Sequence, residues 1–377
     1  MAVTIDINPA TIDFCLNPVA YKITGSASPI KLVARLFIEE VYGSGTYTQI
    51  PDVYLDPDSN YSAVFYFGEL LKEYFDDVKT DIFNLSVITK DEHSLKKYYV
   101  EFYEWDGTNL GAVKLSETKY ILSGQLPFQE WPSHNFAATL PITLDYLNNA
   151  GNKINTWTSA KQYLFWINHV AGSNTIELRA TIHYTDKTSE TQTINTIENA
   201  EQYDVLIIPS GYAQLSLATY NSEKTIYRYD IGLFKEDNTQ VGKSISYYLQ
   251  NKPWWANQFL FRNNYGVLEA LKVEGKEASE LKTSFTTSEK TLQYNYNKTD
   301  FQFVQRKTSR TKEFKINIGP LTKSEAEHLD ELLNDKLFKI GKSELIPCNI
   351  LSKSITPYDQ NEDLQTVSLK YQYAFQI

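Results

Sequence analysis

The C-terminal stretch Val367-Ser368-Leu369-Lys370-Tyr371-Gln372-Tyr373-Ala374-Phe375-Gln376-Ile377 decides how the chain is read. Val, Leu, Tyr, Tyr, Phe and Ile hold every second position, and polar or small residues fill the gaps. A side-chain period of two puts the apolar groups on one face of a β-strand. The stretch therefore reads as a strand laid into a sheet. Working back from it, Phe314, Ile316 and Ile318 alternate with Lys315 and Asn317 in a second half-buried strand. Between the two lies a helix signal. Thr322-Lys323-Ser324-Glu325 forms a capping box, Leu329, Leu332, Leu333 and Leu337 recur at helical spacing, and Gly341 is a stop. The expectation is a helix over Leu321 to Leu333 packed on strands, an α+β unit.

Outward from this unit, composition sets the class. A chain of 377 residues has room for two or three domains, each with its own core. Apolar residues at 42% and charged residues at 22% give a globular balance. Aromatics at 14%, with 27 Tyr, suit strands and contact surfaces. A formal charge of −10 argues against a nucleic-acid binder held by phosphate contacts. Cys15 and Cys348, the two cysteines, make neither a disulfide framework nor a metal knuckle. A cytosolic folding compartment is expected, with one bridge between the chain ends as the alternative. Met1 to Pro9 lacks the basic and apolar regions of a signal peptide. No stretch approaches the ~20 apolar residues of a membrane span.

From the N-terminus, Leu32, Ala34, Leu36 and Ile38 alternate with Val33, Arg35, Phe37 and Glu39, and Tyr61 to Phe67 is a further strand. Leu70, Leu71 and Tyr74 suggest a short helix over Glu69 to Phe75. A hairpin runs from Lys97 to Trp105, turns at Asp106-Gly107-Thr108-Asn109 and returns through Tyr120-Ile121-Leu122. Strands and turns at this spacing read as a β-sandwich of immunoglobulin or fibronectin type III size over residues 1–123. Ser123-Gly124-Gln125-Leu126-Pro127 reads as a boundary. A second sandwich is expected over 124–252. Its closing hairpin, Tyr227 to Leu249, echoes the first with a Tyr-rich strand, a polar turn, a Gly (Gly111, Gly242) and a Tyr-containing return. Asn251-Lys252-Pro253 opens the last domain, 253–377.

No catalytic signature emerges. His93, His134, His169, His183 and His328 share no metal-ligand spacing. His183 falls on a polar strand face and His328 beside the helix stripe, so both read as surface histidines. Asp56, Asp58 and Asn60 start like a calcium loop, but Tyr61 stands where that loop needs Gly and Phe67 where it needs Glu. The segment reads as an acidic turn. Neither a G-x-S-x-G elbow nor a phosphate-binding loop is present. No enzyme, cofactor or metal is expected.

Two features invite a contact. Arg306, Lys307, Arg310, Lys312 and Lys315 crowd into ten residues of an acidic chain. They read either as a subunit interface with an acidic neighbour (or nucleic acid passing nearby) or as a solvated strand. Trp254 and Trp255 stand together at a domain start. They read as an aromatic contact for a sugar or partner, or as a plug at a domain junction.

The order of features in the last third resembles virion proteins from phages of Bacteroidetes-type hosts. The resemblance is carried by Phe259-Leu260-Phe261-Arg262-Asn263-Asn264-Tyr265-Gly266, Lys272 to Gly275, and Ile318-Gly319-Pro320-Leu321-Thr322 with Glu325 and a Leu-rich helix. It continues through Ile346-Pro347-Cys348-Asn349-Ile350 and Leu369 to Phe375. It covers roughly the last 125 residues and is one of pattern and order. It implies a mainly β chain: two sandwiches, then an α+β tail-tube-like domain with one packed helix. It also implies a tail or baseplate component similar in role to distal tail proteins. Such a protein forms a ring with copies of itself, a trimer or hexamer, and links the tail tube to hub and adhesins. Its place is the virion tail, after synthesis in the host cytoplasm, with no membrane insertion and no sequence-specific nucleic acid. The other class is a β-sandwich module for a surface glycan or protein, with Trp254, Trp255 or Trp105 as stacking platforms.

Overall fold

The structure is a computed structural model. It describes residues 3–26, 29–75, 81–126, 146–148, 153–291, 294–297, 299, 301–321, 329, 336–352 and 365–375. The chain divides into two compact units, Met1–Lys252 with Arg262–Ala270, and Pro253–Phe261 with Leu271–Ile377. It is mainly β.

The first unit begins with β1 (Thr4–Ile7), β2 (Ile12–Phe14), β3 (Ala20–Thr24), β4 (Lys31–Glu39), β5 (Tyr47–Gln49), β6 (Val53–Leu55) and β7 (Ser62–Tyr66). A single helical turn, α1 (Gly68–Lys72), continues as a 3₁₀ turn to Phe75, and it fills the place of the expected short helix. Then come β8 (Thr89–Lys90), β9 (Leu95–Trp105), β10 (Lys114–Leu115) and β11 (Lys119–Leu122). Strands β1-β3-β7 form one sheet and β2-β11-β9-β4-β5 the facing one, with β10 on β9 and β6 on β4. Their inner faces bury Tyr21, Ile23, Leu32, Leu36, Phe65, Tyr98, Val100 and Phe102. Each such large apolar side chain contributes about 1.5–3 kcal/mol when fully withdrawn from water.

The second sandwich repeats the plan. Its strands are β12 (Lys153–Thr156), β13 (Tyr163–Ile167), β14 (Asn174–Tyr184), β15 (Ser189–Ala200), β16 (Val205–Pro209), β17 (Ile226–Lys235) and β18 (Ile245–Leu249). The large sheet runs β12-β18-β17-β14-β15. It matches β2-β11-β9-β4-β5 strand for strand. In both, the first strand lies parallel to the last, β2 on β11 and β12 on β18. Side chains repeat too. Arg35 on β4 is paired with Asp52 and lies over Tyr103, while Arg179 on β14 is paired with Glu177 and lies over Phe234. The weak echo between the two closing hairpins thus belongs to a repeat of the whole sheet order.

The two sandwiches are fused. The small sheet of the second, β13-β16, takes its third strand from β8 of the first, with Lys90 opposite Leu206 and Thr89 opposite Ile207. Lys90 Nζ meets the buried Asp204 carboxylate at 2.6 Å, and the Tyr120 and Tyr203 rings pack 4.7 Å apart. Ser123 to Leu126, expected as a linker, is clasped rather than loose. Asn17 Nδ2 donates to the Leu126 carbonyl at 3.0 Å, and the Leu126 amide donates back to Asn17 Oδ1 at 2.7 Å. The turn Arg262–Ala270 belongs to this unit. Its Asn264 carbonyl accepts from the Gln125 amide, and its Gly266 carbonyl accepts from Ser123 Oγ at 3.1 Å. Buried Asn263 knits that turn, accepting from the amides of Tyr265 and Val267 and donating to the Leu147 carbonyl and to Glu269. Asn-Asn-Tyr-Gly is turn chemistry, and Gly266 takes the left-handed conformation at φ +81°.

The C-terminal unit is built on one sheet. Its strands are β19 (Asn257–Arg262), β20 (Leu268–Val273), β21 (Glu277–Glu289), β22 (Phe303–Leu321), β23 (Leu337–Ile340), β24 (Leu345–Ile350) and β25 (Gln365–Tyr373), in the order β20-β19-β23-β24-β25-β22-β21. The alternation read from the sequence packs as far as β25 runs, to Tyr373; Phe375 lies beyond the strand and is exposed. Phe314, Ile316, Ile318, Val367, Leu369 and Tyr371 all enter the core with Phe259, Phe261 and Leu337. Of the expected helix, Leu321 ends β22 and Leu329 is buried in that core. The capping box, His328 and the rest of Leu321 to Leu333 lie outside the described residues, as do Pro127, His134, Gln376 and Ile377.

Candidate functional site

The basic run lies on the longest strand. Strand β22 pairs with β21 from Glu277 opposite Ile316 to Glu289 opposite Phe303, with an irregularity at Ser284/Phe285. Strand β25 pairs with β22 only between Glu313 and Leu321. Beyond Glu313 the ribbon has two strands and, among the described residues, no third. Residues Leu281 to Glu289 of this arm span about 30 Å at the usual rise per residue. Its sequence explains why it still forms: Thr and Phe recur on both strands, and both suit an extended backbone. Ser284 Oγ and Ser309 Oγ meet at 2.8 Å across it, and the Lys290 amide donates to the Gln302 carbonyl at 2.7 Å near the tip.

The arm has two unlike faces. Counting the register through the irregularity, Leu281, Phe285 and Phe303 share a face with Arg310 and Lys312, and that face continues into the core residues Phe314 and Ile316. The opposite face carries Ser284, Thr286, Ser288, Ser309, Arg306 and Lys315. Arg310 and Lys312 therefore fall on one face and Arg306 and Lys315 on the other, and Lys307 is opposite Phe285 in the backbone register at the irregularity. Leu281, Phe285 and Phe303 are each half or more exposed, and Tyr294, Tyr296 and Phe301 are exposed around the tip. Lys282 meets Glu313 at 2.7 Å, and that hydrogen bond holds its ammonium above the usual lysine range.

The foot of the arm is anchored by a polar knot. Glu277 Oε2 accepts from Lys339 Nζ at 2.5 Å and from Tyr371 Oη at 3.1 Å. Lys339 Nζ also lies 5.5 Å from the Phe314 ring centre, 5.8 Å from Tyr371 and 6.0 Å from Phe259. Burial first, and then the Glu277 charge, push the Tyr371 phenol far above its ordinary range. Cys348, on β24, is buried and pushed up to about 11 by that burial. Cys15 is buried as well, and both thiols are free.

The tryptophan pair lies at the start of the C-terminal unit. Trp254 is 87% exposed and stands edge-on to Trp255, with centroids 5.4 Å apart. Trp255 is fixed more firmly. Its indole N–H donates to the Glu274 carbonyl at 2.8 Å, and Lys276 Nζ lies 5.4 Å from its ring centre. The pair thus presents aromatic surface to solvent. Trp105 sits at the end of β9, half-buried and edge-on to Tyr54.

The remaining sequence candidates are accounted for locally. Asp58 accepts from the amides of Asn60 and Ser62, and these bonds hold its carboxyl below the usual range. Tyr61, at the position where a calcium loop needs Gly, does take a left-handed φ of 61°. His183 is not a free surface ring, because its Nε2 lies 2.7 Å from Asp230 and 2.9 Å from Arg228. Among the described residues no group of three or more His, Cys, Asp or Glu is placed to hold a metal ion. None of the described helices is long and apolar enough to cross a membrane.

No protein-family model matches the chain, and no curated protein sequence matches it. Solved structures with some likeness include CBD12 from CALX1.2. That match has 8% identity and a TM-score of 0.20, and covers 62% of this chain and 79% of that one. Trypsin-activated alpha-2-macroglobulin from Escherichia coli matches at 8% identity and TM-score 0.22, over 98% of this chain and 23% of that one. The plexin A4 extracellular region matches at 6% and 0.21, over 98% and 36%. Likeness at this level carries no functional argument. The sandwich reading rests on the sheet order itself.

Proposed function

We propose that the chain is a structural protein of a phage tail, assembling with copies of itself into a ring at the tail tip or baseplate and joining the tail tube to hub and adhesins. The observation that carries the assembly part is the arm. A two-stranded ribbon is marginal in water unless something packs on it, and this one exposes Leu281, Phe285 and Phe303 on one face. Strand β21 is also the last of its sheet, leaving an outer edge of 13 residues without a strand partner among the described residues. Long open edges are normally covered by another element or another chain. Repeated head-to-tail contacts close into a ring when the rotation permits. The tail placement is supported by the resemblance of the last third to phage tail proteins.

Light scattering on the purified chain, with negative-stain imaging, tests the reading. A closed trimer or hexamer is expected, and antibodies against the chain should label the tail tip of the parent particle. A monomer at all concentrations, with no label on particles, would overturn it.

One observation favours a second reading, a glycan-binding module. Trp254 offers an open indole face next to Trp255, over whose ring Lys276 Nζ lies, and such a face is the kind of platform on which a sugar ring stacks. Binding of a host-surface glycan by a monomeric chain, abolished by Trp254→Ala, would select this reading over the ring.

A further inference from the structure

We propose that the arm of one copy docks on the β1-β3-β7 sheet of the N-terminal sandwich of a second copy. The proposal rests on the ring reading above and names the surface that the arm meets.

Charge distribution is the first argument. Residues 1–123 hold ten Lys and Arg against eighteen Asp and Glu, so −8 of the chain's −10 lies in this one sandwich. Residues 303–315 hold five basic residues against one acid, Glu313, which Lys282 already occupies. The complement of the basic strand is therefore carried by the same polypeptide. Opposite potentials of this kind steer encounter and fix which surfaces meet.

Shape and polarity narrow the surface. The β1-β3-β7 sheet buries one face in its sandwich and turns the other to solvent. On the solvent face Ile7, Val64 and Tyr66 are exposed to 54%, 38% and 67%. They are neighbours, because Lys22 of β3 lies opposite both Ile7 of β1 and Val64 of β7, and Ala20 lies opposite Tyr66. Asp56, Asp58, Glu69 and Glu73 are exposed on the segments flanking β7. Lys22 is the one base on these three strands, and it sits within electrostatic reach of Asp58. An apolar strip flanked by acids matches the arm face that presents Leu281, Phe285 and Phe303 beside Arg310 and Lys312. Apolar contact would supply the hold, and the flanking charges would supply the register.

The test uses the full chain in two tagged forms, one carrying Val64→Cys and the other Phe285→Cys. Both positions are exposed, so neither substitution opens a core, and the native thiols are buried. Mixing under mild oxidation should yield a disulfide-linked species containing both tags. Arg310→Glu with Lys312→Glu should weaken association on the order of tenfold or more at low salt and less at high salt. Asp58→Lys with Glu69→Lys in the other copy should restore it, with melting curves showing all variants folded. A ring that assembles while giving no mixed cross-link, or one that ignores the charge reversal, overturns the docking and leaves the ring intact. Cross-links that join only copies carrying the same tag also overturn it. So does duplex DNA binding that is lost on charge reversal with no cross-link between copies. A wholly monomeric chain removes the ring reading as well.

Discussion

Lys339 and Glu277 meet at 2.5 Å at the foot of the arm, with side chains only 14% and 18% exposed. The pair ties the first residue of β21 to β23, with three strands between them in the sheet order. Three aromatic rings around the ammonium and a phenol on the carboxylate complete the surroundings. A largely buried charge left without its partner is strongly destabilising, whereas replacing both partners by apolar groups is often neutral.

Lys339→Met is therefore expected to destabilise the C-terminal unit by about 3 kcal/mol, and Lys339→Met with Glu277→Leu by much less. Denaturant unfolding of the single and double variants checks this. Equal losses in both would show that the charge pairing is not what matters.

Tyrosine burial gives a pH dependence with a defined sign. Tyr371 titrates far above its ordinary value of 10.0, chiefly through burial, and Tyr21 is pushed up to about 12 by the same cause. The neutral phenol is favoured in the folded state. Stability is then fully present below the ordinary tyrosine pKa and falls as pH rises past it, because the unfolded chain releases protons that the folded chain keeps. Tyrosinate absorbance should lag in the native protein and then rise together with unfolding. Tyr371→Phe should lessen the alkaline loss in the C-terminal unit. Smooth titration of all tyrosines in a folded chain would refute the expectation.

Proteolysis should discriminate two segments that look alike as sequence. Asn251 and Lys252 are exposed, whereas Ser123 is buried and Leu126 is bonded in both directions to Asn17. A broad-specificity protease is expected to nick near Asn251 and in the arm tip well before it reaches Ser123 to Leu126. Early cleavage within Ser123 to Leu126 would mean that the clasp does not hold in solution.

Gly266→Ala should cost about 1–3 kcal/mol, read as a lowered melting temperature. Its φ is +81°, and an added Cβ would run into Ser123 Oγ and the Gly124 backbone. Gly43→Ala has a similar φ of +80° but open space around it, so it isolates the conformational part of the cost. Equal melting of the two variants would show that contact with Ser123 carries no weight.

Much of the fold was legible where one face of a strand is buried. Phe314, Ile316 and Ile318, or Val367, Leu369 and Tyr371, announce themselves because every second side chain enters a core. The place where pairing stops is not written in such a pattern. Nothing local in Lys312 or Glu313 says that β25 ends its partnership there, so the basic residues read as one run, although Arg310 and Lys312 share one face of the arm and Arg306 and Lys315 the other. Strand β8 escaped because Thr89 and Lys90 make two residues of pairing and no periodicity. Arg262 ends β19 and Asn263 leads into the turn that follows. That their side chains reach Phe75 and Leu147 is a long-range fact with no sequence signature.

The short strand β8 has a consequence for how the chain is made. Thr89 and Lys90 are synthesised more than a hundred residues before Leu206 and Ile207, the neighbours they pair with. During translation the first sandwich leaves the ribosome carrying a strand with nothing to bind, and the small sheet of the second stays one strand short until β16 emerges. Closure of that long loop comes late and slowly. Strand β16 lies between β13 and β8 in that sheet, so a ribosome paused before β16 would hold a nascent chain with both outer strands made and their common partner missing.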